Sequence, residues 1–119
     1  MIVPMRRDRL FVYTPGFFED GRTWFCPFSA QVIGFLTYYP EVRATLTLHE
    51  LDFQRPRHAL VDLLGEAHQA APILVLHEGA PATAPDGVTI ASANGRRYVE
   101  KTIEILRYLA ATRAVPGPH

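Results

Sequence analysis

Apolar positions fall into short runs whose period switches along the chain, and the switches mark the elements. Residues 9–13 (Arg-Leu-Phe-Val-Tyr) form an apolar, β-prone run ended by Pro15-Gly16 and predict a first strand. Residues 17–25 read as a loop, with Glu19-Asp20-Gly21 as its turn chemistry. A strand-to-helix connection of this length is often functional. From Pro27 the period becomes helical: Phe28, Val32, Phe35, Leu36 and Tyr39 recur along one face, and Pro40 stops the run. Pro27 suits the first helical turn, where a missing N–H costs nothing. Cys26 is therefore expected at or just before a helix start.

Residues 46–53 predict a second strand, and the slipped alternation between Leu48 and Leu51 implies a bulge or a frayed end. Pro56 opens a second helix, with Leu60, Leu63 and Leu64 on its stripe and Gly65 as its stop. Ala70-Ala71-Pro72 leads into Ile73-Leu74-Val75-Leu76, a continuous apolar run expected of a central strand covered on both faces. Residues 79–87 are a loop, 88–91 a short strand, and Asn94-Gly95 a turn. The last helix is expected from about Arg97 to Ala111, with Val99, Ile103, Leu106 and Leu109 or Ala110 facing inward. This βαβαββα order predicts a four-stranded mixed sheet with helices on both faces. Residues 1–8 read as an extension, 9–111 as the domain and 112–119 as a tail, and Met1 and Met5 are both available as starts.

Composition narrows the function classes. The chain has 119 residues, 48% of them apolar, enough for one packed domain. Twelve basic residues balance twelve acidic ones, so no sequence-wide field draws the chain to nucleic acid or anionic lipid. No apolar run approaches the roughly 18 residues of a membrane span. No charged and then apolar leader opens the chain, so a cytoplasmic location away from membranes is expected. The lone Cys26 excludes an internal disulfide and a Cys-rich zinc site. His49, His58, His68 and His77 have no metal-ligand spacing, so no metal is expected.

Cys26 is the centre of the candidate chemistry. Unpaired backbone N–H groups and the macrodipole at a helix start both stabilise a thiolate. Ser29, one turn on, is placed to donate its hydroxyl to the sulfur. The competing reading makes Cys26 a small buried hydrophobe beside Phe25 and Phe28. Thr23 and Cys26 match half of a peroxiredoxin motif, but Glu19 stands where its proline would be. Trp24 with Phe17, Phe18 and Phe25 forms an aromatic ligand wall, loop packing or the contact of a homodimer. Arg55 and Arg57 flank the second helix start, where contact with a carboxylate is one reading and solvated charge the preferred one.

Three segments carry a resemblance: Phe25-Cys26-Pro27-Phe28 with Ser29 completing Cys-x-x-Ser, Ala71-Pro72-Ile73-Leu74-Val75, and Ile105-Leu106-Arg107-Tyr108-Leu109-Ala110. With the element order, they resemble the thioredoxin-like superfamily over roughly residues 9–111. Glutaredoxins, the N-terminal domain of glutathione transferases and an uncharacterised bacterial group are the nearest likenesses. The resemblance implies a thioredoxin-like α/β fold, a cis Ala71–Pro72 bond and glutathione as co-substrate. By it Cys26, Ser29 and Pro72 carry catalysis. Phe28, Ala71, Pro72, Ser92, Asn94, Gly95 and Arg96 hold glutathione, Ala71 pairing with it as a strand would. The acidic-plus-serine pair of transferases is absent from 92–96. With one cysteine, only an external thiol can resolve a mixed disulfide. The implied activity is monothiol exchange on a small thiol or glutathionylated substrate; the alternative is a non-catalytic binding or assembly module.

Overall fold

The computed structural model describes residues 5–119; residues 1–4, part of the expected extension, lie outside them. Strand β1 (Asp8–Tyr13) is followed by a hairpin of β2 (Phe17–Glu19) and β3 (Arg22–Trp24). The chain continues through α1 (Pro27–Tyr38), the single turn α2 (Pro40–Arg43), β4 (Leu46–Leu51) and α3 (His58–Leu64). It closes with β5 (Ile73–Val75), β6 (Ala91–Ala93), β7 (Arg96–Val99) and α4 (Thr102–Arg113). Pro40 ends α1 as expected and also opens α2, because proline is at home in a first turn.

The main sheet has five strands in the order β4-β1-β5-β7-β6, not the expected four. Only β4 and β1 are parallel; every other neighbouring pair is antiparallel. Alternation along the strands sorts the core into two layers. Leu10, Val12, Leu74 and Val99 pack with Val32 and Leu36 of α1 and with Ile105, Tyr108 and Leu109 of α4. Phe11, Ile73, Val75 and Tyr98 pack on the other side with Leu60, Leu63 and Leu64 of α3. Each such aliphatic side chain contributes about 1.5–3 kcal/mol on burial. Of the residues assigned to the extension, Met5 is buried in the layer under α3, and Asp8 is a buried carboxylate that starts β1.

Three expectations are corrected. The segment before Cys26 is a hairpin rather than a loop, because Asp20 (φ 51°) and Gly21 (φ 79°) supply the two positive φ angles of a tight turn. The same chemistry at Asn94 (φ 51°) and Gly95 (φ 74°) builds the β6–β7 hairpin, so the strand expected at 88–91 lies at 91–93. Arg97 to Val99, expected to open the last helix, belong to β7 and pair with β5 and β6, and the helix starts at Thr102. The buried residues of α4 are Glu104, Ile105, Tyr108, Leu109 and Ala110, and Ile103, expected to face inward, is 41% exposed. In α1, Phe28 likewise leaves the expected apolar stripe and is 57% exposed.

Candidate functional site

Cys26 is the N-cap of α1, with extended backbone (φ −84°, ψ 117°). Its Sγ accepts the backbone N–H of Ser29 at 3.5 Å, and its own carbonyl accepts the N–H of Ala30 at 3.0 Å. One of the orphan donors of the helix start is thereby spent on the sulfur. The residue is half-buried, neither sealed in the core nor fully open.

Ser29 acts on the sulfur differently from the expectation. Its hydroxyl is buried under the end of β1 and accepts the N–H of Tyr13 at 3.1 Å; its main chain, not its side chain, meets Cys26. The side chain leaves a helix roughly perpendicular to the N–H that caps it, so one residue divides its two groups between two elements.

The sulfur opens into an aromatic pocket of about 400 Å³ walled by Tyr13, Phe17, Trp24, Phe25, Phe28 and Phe53, with Glu19 and Asp20 at its hairpin end. Phe17 and Phe53 stack with ring centroids 4.4 Å apart, and Tyr13 tilts against Phe53 at 5.5 Å. The Trp24 indole N–H donates to the Glu19 carbonyl at 2.9 Å, while Arg22 lies 4.3 Å above the Trp24 ring. Phe25 and Phe28 on its wall remain mostly exposed.

Pro72 lines a second cleft, of about 540 Å³, which shares Phe28 with the thiol pocket. The Ala71–Pro72 peptide is cis, the geometry that the resemblance implies. The Ala71 N–H, expected to be free for a ligand, donates to the Tyr13 hydroxyl at 3.2 Å. Gln31, Arg55, His68 and Gln69 contribute polar groups to this cleft, and its far wall is Glu100 to Ile103 at the start of α4. Behind it, Tyr98 Oη meets His68 Nδ1 at 3.3 Å; burial first and Glu100 second push the Tyr98 phenol above its ordinary pKa.

Ser92, Asn94, Gly95 and Arg96 line neither space. The β6–β7 hairpin carries them to the outer edge of the sheet, where the Asn94 amide donates to the Leu63 carbonyl at 3.3 Å. Arg96 faces Glu78 at 3.9 Å. The stretch that does reach the cleft is Glu100 to Ile103, because the last helix starts at Thr102 rather than at about Arg97.

A family model described as "Protein of unknown function (DUF3088)" matches residues 7–117. The chain belongs to the DUF3088 family. Comparison with curated proteins and with solved structures finds no match. The DUF3088 match spans the whole sheet and all four helices, so it covers both the thiol pocket and the Pro72 cleft. Among the described residues of this DUF3088 chain, no helix is long and apolar enough to cross a membrane.

Sequence reasoning missed Tyr13 and Phe53 as walls of the site. Tyr13 was readable as a strand end only. Phe53 and Arg57 sit on the β4–α3 connection, where no period tells an inward side chain from an outward one. Arg57 was expected to be solvated and is buried.

Proposed function

We propose that the chain is a thioredoxin-like domain that carries out monothiol thiol–disulfide exchange at Cys26, with glutathione as the external thiol. The observation that carries this reading is the address of the sulfur: N-cap of a twelve-residue helix, within reach of the Ser29 N–H, on a residue that lines an open aromatic pocket. Attack on a disulfide needs an accessible sulfur, and a half-buried side chain whose Sγ meets a helix-start N–H supports that reading. Strand order supports the fold assignment: β4-β1-β5-β7 with a cis proline entering β5 fits the implied arrangement, and β6 is an added edge strand.

In the proposed step the Cys26 thiolate attacks one sulfur of a glutathione disulfide or glutathionylated thiol. A new S–S bond forms to Cys26, the old one breaks, and the leaving sulfur departs as a thiolate. An external thiol then repeats the exchange and releases the enzyme thiol.

Glutathione disulfide is expected to add one glutathione to the intact protein, read as a single mass shift. Cys26→Ser abolishes it and reduced glutathione reverses it. The reaction should also saturate and outpace that of free cysteine at neutral pH. A rate no better than free cysteine, without saturation, overturns the exchange reading and leaves the non-catalytic module.

A further inference from the structure

Arg57 spends every guanidinium nitrogen on main-chain carbonyls. Nε donates to the Phe53 carbonyl at 3.0 Å, Nη2 donates to the same oxygen, and Nη1 donates to the Gln69 carbonyl at 2.7 Å. The backbone N–H of Arg57 donates to Gln69 Oε1 at 2.7 Å, and the Gln69 amide goes on to the Glu66 carbonyl at 2.9 Å. Arg57 is 6% exposed, and among the described residues no carboxylate pairs with its guanidinium. A buried cation without a counter-ion lowers stability, and an apolar side chain of similar volume fills such a space without that cost. Stability alone does not account for an arginine here.

The fork joins two connections remote in sequence. Phe53, on the β4–α3 connection, is a wall of the Cys26 pocket and stacks on Phe17. Gln69, on the α3–β5 connection, lines the cleft that also holds Ala71 and Pro72. The Tyr13 and Phe53 rings lie 4.9 and 5.0 Å from the guanidinium carbon. Tyr13 is itself a wall of the Cys26 pocket, and its hydroxyl holds the Ala71 N–H. One side chain therefore sets the spacing between the rings beside the thiol and the turn that carries Pro72. A planar fork with donors on three nitrogens serves both carbonyls at once, whereas a lysine ammonium is a single point charge.

We infer that Arg57 is a positioning residue of the exchange site, which fixes the Phe53 wall of the thiol pocket against the Gln69–Pro72 wall of the neighbouring cleft. This rests on the exchange reading above and adds the residue that sets the geometry of its site. The donors of Arg57 are committed to the protein rather than to a ligand. A disulfide attacked at Cys26 has two arms, and the pocket and the cleft, which meet at Phe28, offer each arm a place. Arg57 takes no part in the bond exchange: Cys26 sulfur bonds to the near sulfur of the disulfide, and the far sulfur leaves with the electron pair. Its contribution is to hold the two walls at one spacing, so that the sulfurs line up when both arms are seated.

The test compares the parent with Arg57→Met, which keeps an apolar stem and removes the fork, and with Arg57→Lys, which keeps only the charge. The rate with glutathione disulfide is expected to fall by about 10–100-fold in both, the penalty of a misplaced reactant. Alkylation by iodoacetamide, a small reagent that needs neither wall, should stay close to the parent's, because the cap on Cys26 comes from α1 itself. An unchanged disulfide rate overturns the positioning role. An equal fall in both rates also overturns it and assigns Arg57 to the fold or to the thiol. Where neither variant folds, amide hydrogen exchange of the parent decides. The N–H groups of Arg57 and Ala71 are expected to open together with equal protection, and independent opening overturns the tie. Coupled opening, with Cys26 no faster than free cysteine toward glutathione disulfide, overturns exchange and leaves the tie between the two connections.

Discussion

At the residue scale the division of labour within Ser29 decides how the thiol is supported. The main-chain N–H reaches Cys26 Sγ, and the hydroxyl, 4% exposed as a residue, satisfies the N–H of Tyr13. Ser29→Ala removes the second bond only and leaves a part-buried donor unpaired. It is expected to lower stability by about 1–3 kcal/mol in equilibrium denaturation, while the rate of Cys26 alkylation stays close to that of the parent. A large fall in alkylation rate with unchanged stability would show that the hydroxyl, after all, serves the sulfur. The spacing Cys-x-x-Ser made the pair visible in the sequence. Which atom of Ser29 faces which neighbour depends on β1 lying alongside α1, and spacing within the helix carries no information about that.

At the element scale, one carboxylate ties three elements together at the end of the sheet away from the thiol. Asp8, at the start of β1, is 1% exposed. Its Oδ1 accepts the His77 N–H just beyond β5 at 2.8 Å, and its Oδ2 accepts Arg113 Nη2 at the end of α4 at 3.0 Å. Arg113 also donates to Thr45 Oγ1 at 3.0 Å, which brings the start of β4 into the clasp. Asp8→Ala strands a mostly buried guanidinium and is expected to cost about 3–5 kcal/mol. Replacing both partners by apolar residues, Asp8→Leu with Arg113→Met, should recover most of that loss in the same denaturation assay; no recovery would place the cost in packing rather than in the orphaned charge. The first helix, the second helix and β5 were readable from period and punctuation, because each has an apolar pattern and a proline or glycine at an end. β7 was not, since Arg96-Arg97-Tyr98-Val99 becomes a strand only by having β5 on one side and β6 on the other.

For the whole molecule, pH enters through His49 on the edge strand. Its ring stacks on Phe11 at 4.7 Å, and its Nε2 is buried with no partner among the described residues. Burial first and the Arg9 charge second hold its pKa below the ordinary histidine value. The folded state therefore resists protonation more than the unfolded chain does. The stability that neutral His49 provides is complete above about pH 6.5 and is lost as pH falls through its folded value. Thermal melting should show the parent losing stability on acidification more steeply than His49→Phe, which keeps the stacked ring and removes the titration; parallel curves would assign the acid sensitivity to other groups. The pattern along the chain already contained an α/β architecture, a cysteine at a helix start and a proline at the entrance to a central strand. Those follow from local rules: period, helix-end chemistry and the conformational limits of proline and glycine act within a few residues. Tertiary structure alone decided the fifth strand, the turning of Ser29 toward β1, the engagement of the Ala71 N–H by Tyr13 and the burial of Arg57 beneath two aromatic rings. Each depends on groups from segments remote in sequence meeting at one place, and a side chain's identity does not say which distant group will stand opposite it.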